Sequence, residues 1–301
     1  MSPLKPSVAI LAERENFPVQ ELRHALERRG IRHTLLPASR LGARVGAAGA
    51  VTCAGVVLDD YDIVLVRQVP GGSLEQVIFR MDALHRLARL GVRVINPPLA
   101  IERMVDKYVT STLLAEAGIP TPETVVVQSY EEAMGALERF GEVVAKPIFG
   151  AEGRGIVRIA DPDTGYRVFR AWEQIGAVYY LQRFIEHGSR DIRAFVIGHR
   201  VVAAMERVGA GWKTNVSAGA APVAMHLPPD WAALAIHAVR AVGADYAGVD
   251  LLPGADGRLY VHEVNSMPSW TGLQTTTPVN IGEAVVEHAL ALAGRPAAVV
   301  P

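Results

Sequence analysis

Cysteine is almost missing from this sequence. Cys53 is the only one in 301 residues, so no disulfide can form within the chain and no Cys/His cluster marks a zinc site. That solitude fits a reducing compartment, and a cytoplasmic location is expected. Charge of one sign is lacking as well. With 30 Lys and Arg against 31 Asp and Glu, and the basic residues scattered, no nucleic-acid partner is expected. Long apolar runs are also absent. The longest, Ala289 to Pro301, is broken by Gly294, Arg295 and Pro296, and Met1-Ser-Pro-Leu-Lys-Pro lacks the pattern of a signal peptide, so no membrane association is expected. No internal repeat is visible, and low complexity is confined to the Gly/Ala-rich stretch Gly42 to Gly55. No G-x-G-x-x-G follows the first strand, which leaves a dinucleotide fold unsupported.

What is present is an apolar half of the composition in a chain long enough for two or three domains. The first third alternates. Val8-Ala-Ile-Leu reads as a buried strand, Pro18 to Arg29 as a helix stopped by Gly30, and Ile31 to Leu36 as a strand. Asp62 to Val66 follows as a strand, Leu74 to Leu90 as a helix and Val92 to Ile95 as a strand. Such βαβ alternation predicts a parallel sheet covered by helices, and hence an α/β first domain over residues 1–96. Arg67 and Gly71-Gly72-Ser73, at a strand end and a helix start, read either as acceptor contacts or as a plain loop and N-cap.

Asn96-Pro97-Pro98 opens a second region, expected over residues 97–185. Asp106 caps a predicted helix to Ala117, which puts Lys107 in the first turn, against the helix dipole. A lysine there either meets an anion or is simply solvated. A helix at Tyr130 to Phe140 precedes Val143-Val-Ala-Lys146, and the glycines Gly150, Gly153 and Gly155 then lead straight into another strand. Glycines let backbone N–H groups approach an anion, and a strand lysine reaches phosphate as a point charge. An ordinary hairpin is the competing reading. Val178 to Glu186 reads as an inner strand.

The third region, residues 186–301, is expected to hold a hairpin about Gly198-His199. Asp191 and Arg193 share a face of one strand there, and Arg207 lies near the end of the other; salt bridging alone would account for them. A second hairpin joins Gly248-Val-Asp250-Leu-Leu to Arg258-Leu-Tyr-Val-His-Glu263-Val-Asn265. With Asp256-Gly257 as a type I′ turn, Asp250 stands opposite Glu263, and Asn265 shares the face of Glu263. Pro253 and Gly254 interrupt the ladder and could introduce a bulge there. Two carboxylates and an amide oxygen suit Mg2+ or Mn2+ completed by substrate phosphates, so the hairpin predicts a nucleotide. A surface hairpin with solvated acids remains the alternative.

The ordered set Asp106-Lys107, Lys146-Pro147 with its glycine loop, Gln182, Asp191-x-Arg193, Arg207, Asn215, Gly248-Val-Asp250 and Glu263-Val-Asn265-x-x-Pro268 resembles the ATP-grasp superfamily, and within it the RimK-like amino-acid ligases. The resemblance runs from about Asn96 to about Leu290. It implies an ATP-grasp fold, α+β in its later domains, behind a parallel-sheet N-terminal domain. It also implies an acyl-phosphate ligase that uses ATP and divalent ions, two of them in this family.

On that basis Lys107 and Lys146 are expected on the phosphates. The loop from Gly150 through Gly153, Arg154 and Gly155 is expected as a lid, and Gln182, Arg183, Phe184 and Ile185 at the adenine. Asp191 falls at the ribose position, Lys213 and Asn215 at a nucleotide-contacting pair, Asp250, Glu263 and Asn265 at the metal. Arg207, with Arg193 and Lys146, falls among the catalytic groups. Lys213 stands where many relatives carry arginine, and Ser269-Trp270 replaces a Gly-hydrophobic pair. Val66 to Gly72, Phe79 to His85 and Lys146 to Gly155 look most like the branch that adds L-glutamate to tetrahydromethanopterin or a similar carrier such as methylofuran. The expected partners are L-glutamate, a small glutamate-ended acceptor and further copies of the chain. A ligase for ribosomal or carrier-protein tails, and a regulator that binds nucleotide without turnover, are the alternatives.

Overall fold

The computed structural model describes residues 5–47, 49–150, 153–215 and 219–293. Its first elements in order are β1 (Val8–Leu11), α1 (Phe17–Arg28), β2 (His33–Leu36), β3 (Leu41–Arg44), β4 (Ala50–Cys53), β5 (Val56–Val57), β6 (Ile63–Val66), α2 (Leu74–Arg89) and β7 (Arg93–Ile95). Strands β2-β1-β6-β7 form the expected parallel sheet. The Gly/Ala-rich stretch instead folds as an antiparallel three-stranded sheet, β3-β4-β5, although its glycines obscure any alternation in the sequence. Together with α2 it covers one face of the parallel sheet. Cys53 is buried there, and desolvation, reinforced by Glu13, pushes its thiol up to about 11. Ser73 caps α2 in a reciprocal box with Gln76, while Arg67 donates to the Tyr246 hydroxyl and the Pro268 carbonyl. Both therefore have structural roles.

Next come α3 (Pro98–Val105), α4 (Lys107–Glu116), β8 (Thr124–Val127), α5 (Tyr130–Phe140), β9 (Val143–Lys146), β10 (Val157–Ile159), α6 (Pro162–Gln174) and β11 (Tyr179–Arg183). The sheet β10-β9-β11-β8 rests on α5 and α6 around its own core of Leu137, Phe140, Phe169 and Tyr179.

The chain ends with β12 (Arg190–Ile197), β13 (Arg200–Val208), β14 (Ala221–Ala224), α7 (Pro229–Val242), β15 (Tyr246–Pro253), β16 (Leu259–Asn265), α8 (Thr271–Gln274) and α9 (Ile281–Leu292). Strands β14-β13-β12-β15-β16 make a five-stranded sheet with α3, α4 and α7 against one face. Its other face shares a continuous core with α1, α9 and the parallel sheet, where Trp270 packs edge-on to Phe195 and under Arg67. Trp270 thus belongs to the core, and it is Ser269 that faces solvent.

Asn96 pins the two sheets together. Its Nδ2 donates to the carbonyls of Tyr246 (2.9 Å) and Ser266 (2.8 Å), and its Oδ1 accepts from the amides of Asp245 (2.9 Å) and Tyr246 (3.0 Å). All four partners are main-chain groups with little access to water, and each buried group left unpaired costs ~1–3 kcal/mol. Asn96→Ala is expected to lower stability by about 3 kcal/mol in urea denaturation; a loss under about 1 kcal/mol would show that the pin is dispensable.

Candidate active site

A cleft separates the four-stranded β10-β9-β11-β8 sheet from the five-stranded one, and each side contributes its own chemistry. On the four-stranded side Lys146 closes β9, paired in register with Tyr180 on β11. Its Nζ donates to Gln182 Oε1 at 2.7 Å. Gln182 Nε2 in turn reaches Thr124 Oγ1 (3.2 Å) and the Tyr180 hydroxyl (3.3 Å), which fixes the amide with its oxygen toward the lysine. Lys107, the first residue of its capped helix, donates to the Gly150 carbonyl at 2.8 Å. Burial lowers the pKa of Lys107 against the pull of Glu263 and Asp106.

The glycine loop sits tightly. Gly153 holds φ +71°, and a Cβ there would lie 2.7 Å from Asn215 Oδ1, so only glycine lets the loop close against the opposite wall. Residues 151 and 152, part of the expected lid, lie outside the described residues, while Arg154 lines the cleft. Gly155, with φ +74°, packs against Pro147 rather than facing the cleft.

On the five-stranded side the register places Asp250 opposite Glu263 and Gly248 opposite Asn265. The turn differs from expectation. Gly257 alone has positive φ, its amide bonds back to Gly254, and Asp256 is not left-handed, so the two-residue type I′ turn is replaced by a longer loop. Pro253 stays in the ladder opposite Leu259; the bulge falls instead at His262, between the Asp250–Glu263 and Leu251–Val261 pairs.

Asp250 is buried and gripped by Arg193, whose Nη2 donates to Oδ2 at 2.7 Å, and Arg207 Nη2 stands 3.1 Å from Oδ1. Burial works to raise the Asp250 pKa, but Arg193 and then Arg207 outweigh it, and the carboxyl stays well below the usual range. Arg207 also clasps both oxygens of Asp191, at 2.6 and 2.5 Å. The face shared by Asp191 and Arg193 is therefore an ion-pair lattice. Asn265 Nδ2 lies 3.5 Å from Asp250 Oδ2 and 3.4 Å from the Gly248 carbonyl. Because the two ends of an amide are interchangeable in such a contact, the donor set of Asp250, Glu263 and Asn265 suits a hard cation. Among the described residues no cluster of three His, Cys, Asp or Glu offers an alternative.

Most of the remaining sequence-expected residues line the same cleft: Gln182, Arg183, Phe184 and Ile185 at one end, Lys213 and Asn215 on the loop after β13. Arg193 and Asn265 reach the cleft through Asp250. Sequence reasoning missed His187 and Trp212, whose rings meet Phe184 at 6.0 and 6.4 Å, and it missed Leu252 and His262.

The RimK-like ATP-grasp domain matches residues 104–289. The chain belongs to the RimK-like ATP-grasp family. A tetrahydromethanopterin:alpha-L-glutamate ligase of Methanocaldococcus jannaschii is 40% identical over 237 residues, 76% of this chain and 79% of that one. The same-named protein of Methanosarcina acetivorans is 36% identical over 262 residues, 77% and 81% of the two chains. The solved structure of the ATP-grasp ligase PsnB with minimal precursor, Mg and ADP superposes with a TM-score of 0.75 over 97% of this chain and 99% of that one, at 20% identity. That likeness shows the ATP-grasp fold. As a RimK-like protein the chain is an ATP-dependent ligase.

In this RimK-like cleft Lys146 carries a testable charge. Burial, with Lys107 adding to it and Glu263 opposing, draws its pKa from 10.5 down to about 8. The folded value lies below the unfolded one. Burying the ammonium therefore costs stability in full below about pH 8, and the cost is relieved as pH rises toward 10.5. Affinity for a polyanion runs the other way. Metal-free ATP binding, followed by calorimetry, is expected to weaken by up to about tenfold per pH unit above pH 8. Flat affinity to pH 9.5 would show that Lys146 does not meet the nucleotide.

Proposed function

We propose that this cleft binds ATP with a divalent cation and joins the amine of L-glutamate to a carboxylate of a small, glutamate-ended acceptor of the tetrahydromethanopterin kind. The observation that carries the site reading is the pairing of Asp250 with Glu263 beside Asn265, facing Lys146 across the cleft. Support for the acceptor comes from the relatives at 40% and 36% identity, both named for tetrahydromethanopterin and glutamate.

In this reading the acceptor carboxylate attacks the γ-phosphorus and ADP leaves, giving an acyl phosphate. The glutamate amine then attacks the acyl carbon, phosphate leaves and the nitrogen loses a proton. Asp250, Glu263 and Asn265 hold the cation, which when bound neutralises charge on the phosphate oxygens. Lys146, oriented by Gln182, and Lys107, beside the glycine loop, hold the phosphates. Arg207 and Arg193, anchored on Asp191 and Asp250, present fixed cationic charge to the oxyanion that forms during amine attack, worth about 3 kcal/mol by comparison with other oxyanion donors. The same reading keeps the boundaries at residues 96 and 185, with α3 and α4 of the middle region crossing over to pack on the five-stranded sheet.

The test supplies ATP, Mg2+, labelled glutamate and either tetrahydromethanopterin, methylofuran or a glutamate-tailed protein, with mass spectrometry of the products. Glutamate-dependent ADP release with one glutamyl residue added to a small carrier is expected. Labelling of protein tails alone would overturn the acceptor, and no glutamate-stimulated ADP release with any of them would overturn the ligation.

A further inference from the structure

The bulge in β16 does something that the expected site residues do not explain. Val261 and Val264 are both 0% exposed and both pack into the core beneath the five-stranded sheet, although they stand three residues apart. In a regular strand such residues point to opposite faces. The extra residue at the register shift resolves the conflict by letting His262 and Glu263 lean into the cleft together.

His262 arrives there without a partner among the described residues. Its Nε2 is buried and makes no hydrogen bond, and the nearest acidic oxygen, Asp191 Oδ2, is 4.0 Å away and already bonded to Arg207. A buried imidazole nitrogen with no bond is uncommon, since an apolar side chain would fill the same space without that penalty. Its location narrows what it could meet. On the ladder His262 lies between Asp250–Glu263, toward the cation-binding end, and Leu252, toward the apolar end that holds Phe184 and Ile185. A nucleotide laid with its phosphates at Lys146 and its base against Phe184 would have its sugar over His262.

We propose that His262 is a nucleotide-specificity residue whose Nε2 exchanges a hydrogen bond with a ribose hydroxyl of the bound ATP. This inference rests on the nucleotide reading given under the proposed function. A hydroxyl suits the position because it donates as well as accepts, so either neutral tautomer of the imidazole is satisfied. Asp191, the residue expected at the ribose from sequence, spends both oxygens on Arg207 and leaves that task to its neighbour.

The experiment is equilibrium binding of ATP, 2′-deoxy-ATP and 3′-deoxy-ATP to the full chain and to two variants, His262→Leu and His262→Gln. The native protein is expected to bind one deoxy analogue about tenfold more weakly than ATP. In His262→Leu, ATP should fall to the level of that analogue and discrimination between them should drop below about twofold, with His262→Gln recovering part of it. A purely packing role would weaken all three ligands equally and leave their ratios untouched. ATP binding with native discrimination in His262→Leu overturns the assignment alone, whereas failure of the native chain to bind ATP overturns the nucleotide reading along with it.

Discussion

Lys146→Met is expected to lower kcat/KM by about 10³-fold and to weaken ATP binding by at least about 100-fold, while the protein melts no lower than the native chain. The two halves of that result have one cause. Lys146 is 7% exposed, its ammonium is desolvated enough to bring its pKa to about 8, and it donates to Gln182. A preorganised buried cation acts strongly on a phosphate because little water screens it. The same desolvation makes the charge a burden in the absence of ligand, and methionine keeps most of the stem while removing that burden. Arginine would be a poor substitute, since its planar fork cannot occupy the place of a compact ammonium between Gln182 and the Tyr180 ring. Scanning calorimetry together with steady-state kinetics separates the effects. A variant that loses activity only because it unfolds would refute the prediction.

Glu263→Gln is expected to reduce turnover by about 10²–10³-fold at ordinary Mg2+, with partial rescue at high Mg2+ and little change in stability. Glu263 is the informative member of the acidic set. Asp250 is tied to Arg193 and Arg207, so changing it leaves Arg193 without its counter-charge and Arg207 with Asp191 alone, at a cost of ~3–5 kcal/mol that would be mistaken for lost metal binding. Glu263 faces the cleft opposite Asp250 and, among the described residues, forms no comparable clasp. Removing its charge also takes away the pull that raises the pKa of Lys146, so the alkaline limb of ATP binding should move to lower pH in this variant. Mn2+ titrations monitored by electron paramagnetic resonance check the cause directly. Unchanged Mn2+ affinity in the presence of ADP would remove Glu263 from the cation site.

Much of this architecture was legible in the sequence because hydrophobic alternation and helix caps are local signals. The parallel sheet could be read from Val8–Leu11, Ile63–Val66 and the helices that follow each of them, and α4 from Asp106 and Gly118. Helix α6 also carries a cap, Asp161 accepting from the Thr164 amide, but its apolar face is sparse and leaves little periodicity to read. The strands β3 to β5 were hidden by glycine and alanine, which pack without marking a face.

At the site, the opposition of Asp250 and Glu263 is expected from a type I′ turn that does not form; the longer loop moves the register by one residue and the bulge at His262 moves it back. The Asp191–Arg207 bridge is already one reading of the first hairpin, but the links from Arg193 and Arg207 to Asp250 were not legible, because they depend on three strands lying side by side. One signal for His262 is present in the sequence. Two valines three apart in an otherwise alternating strand cannot both be buried unless a residue bulges between them.

The central claim is that ATP is spent in making an acyl phosphate on the acceptor. Turnover with an acceptor whose carboxylates carry 18O, followed by 31P NMR of the released nucleotide and phosphate, tests it most directly. One 18O per turnover should appear in inorganic phosphate, alongside unlabelled ADP. Label in AMP with release of pyrophosphate, or product formed with no label in phosphate, would contradict it.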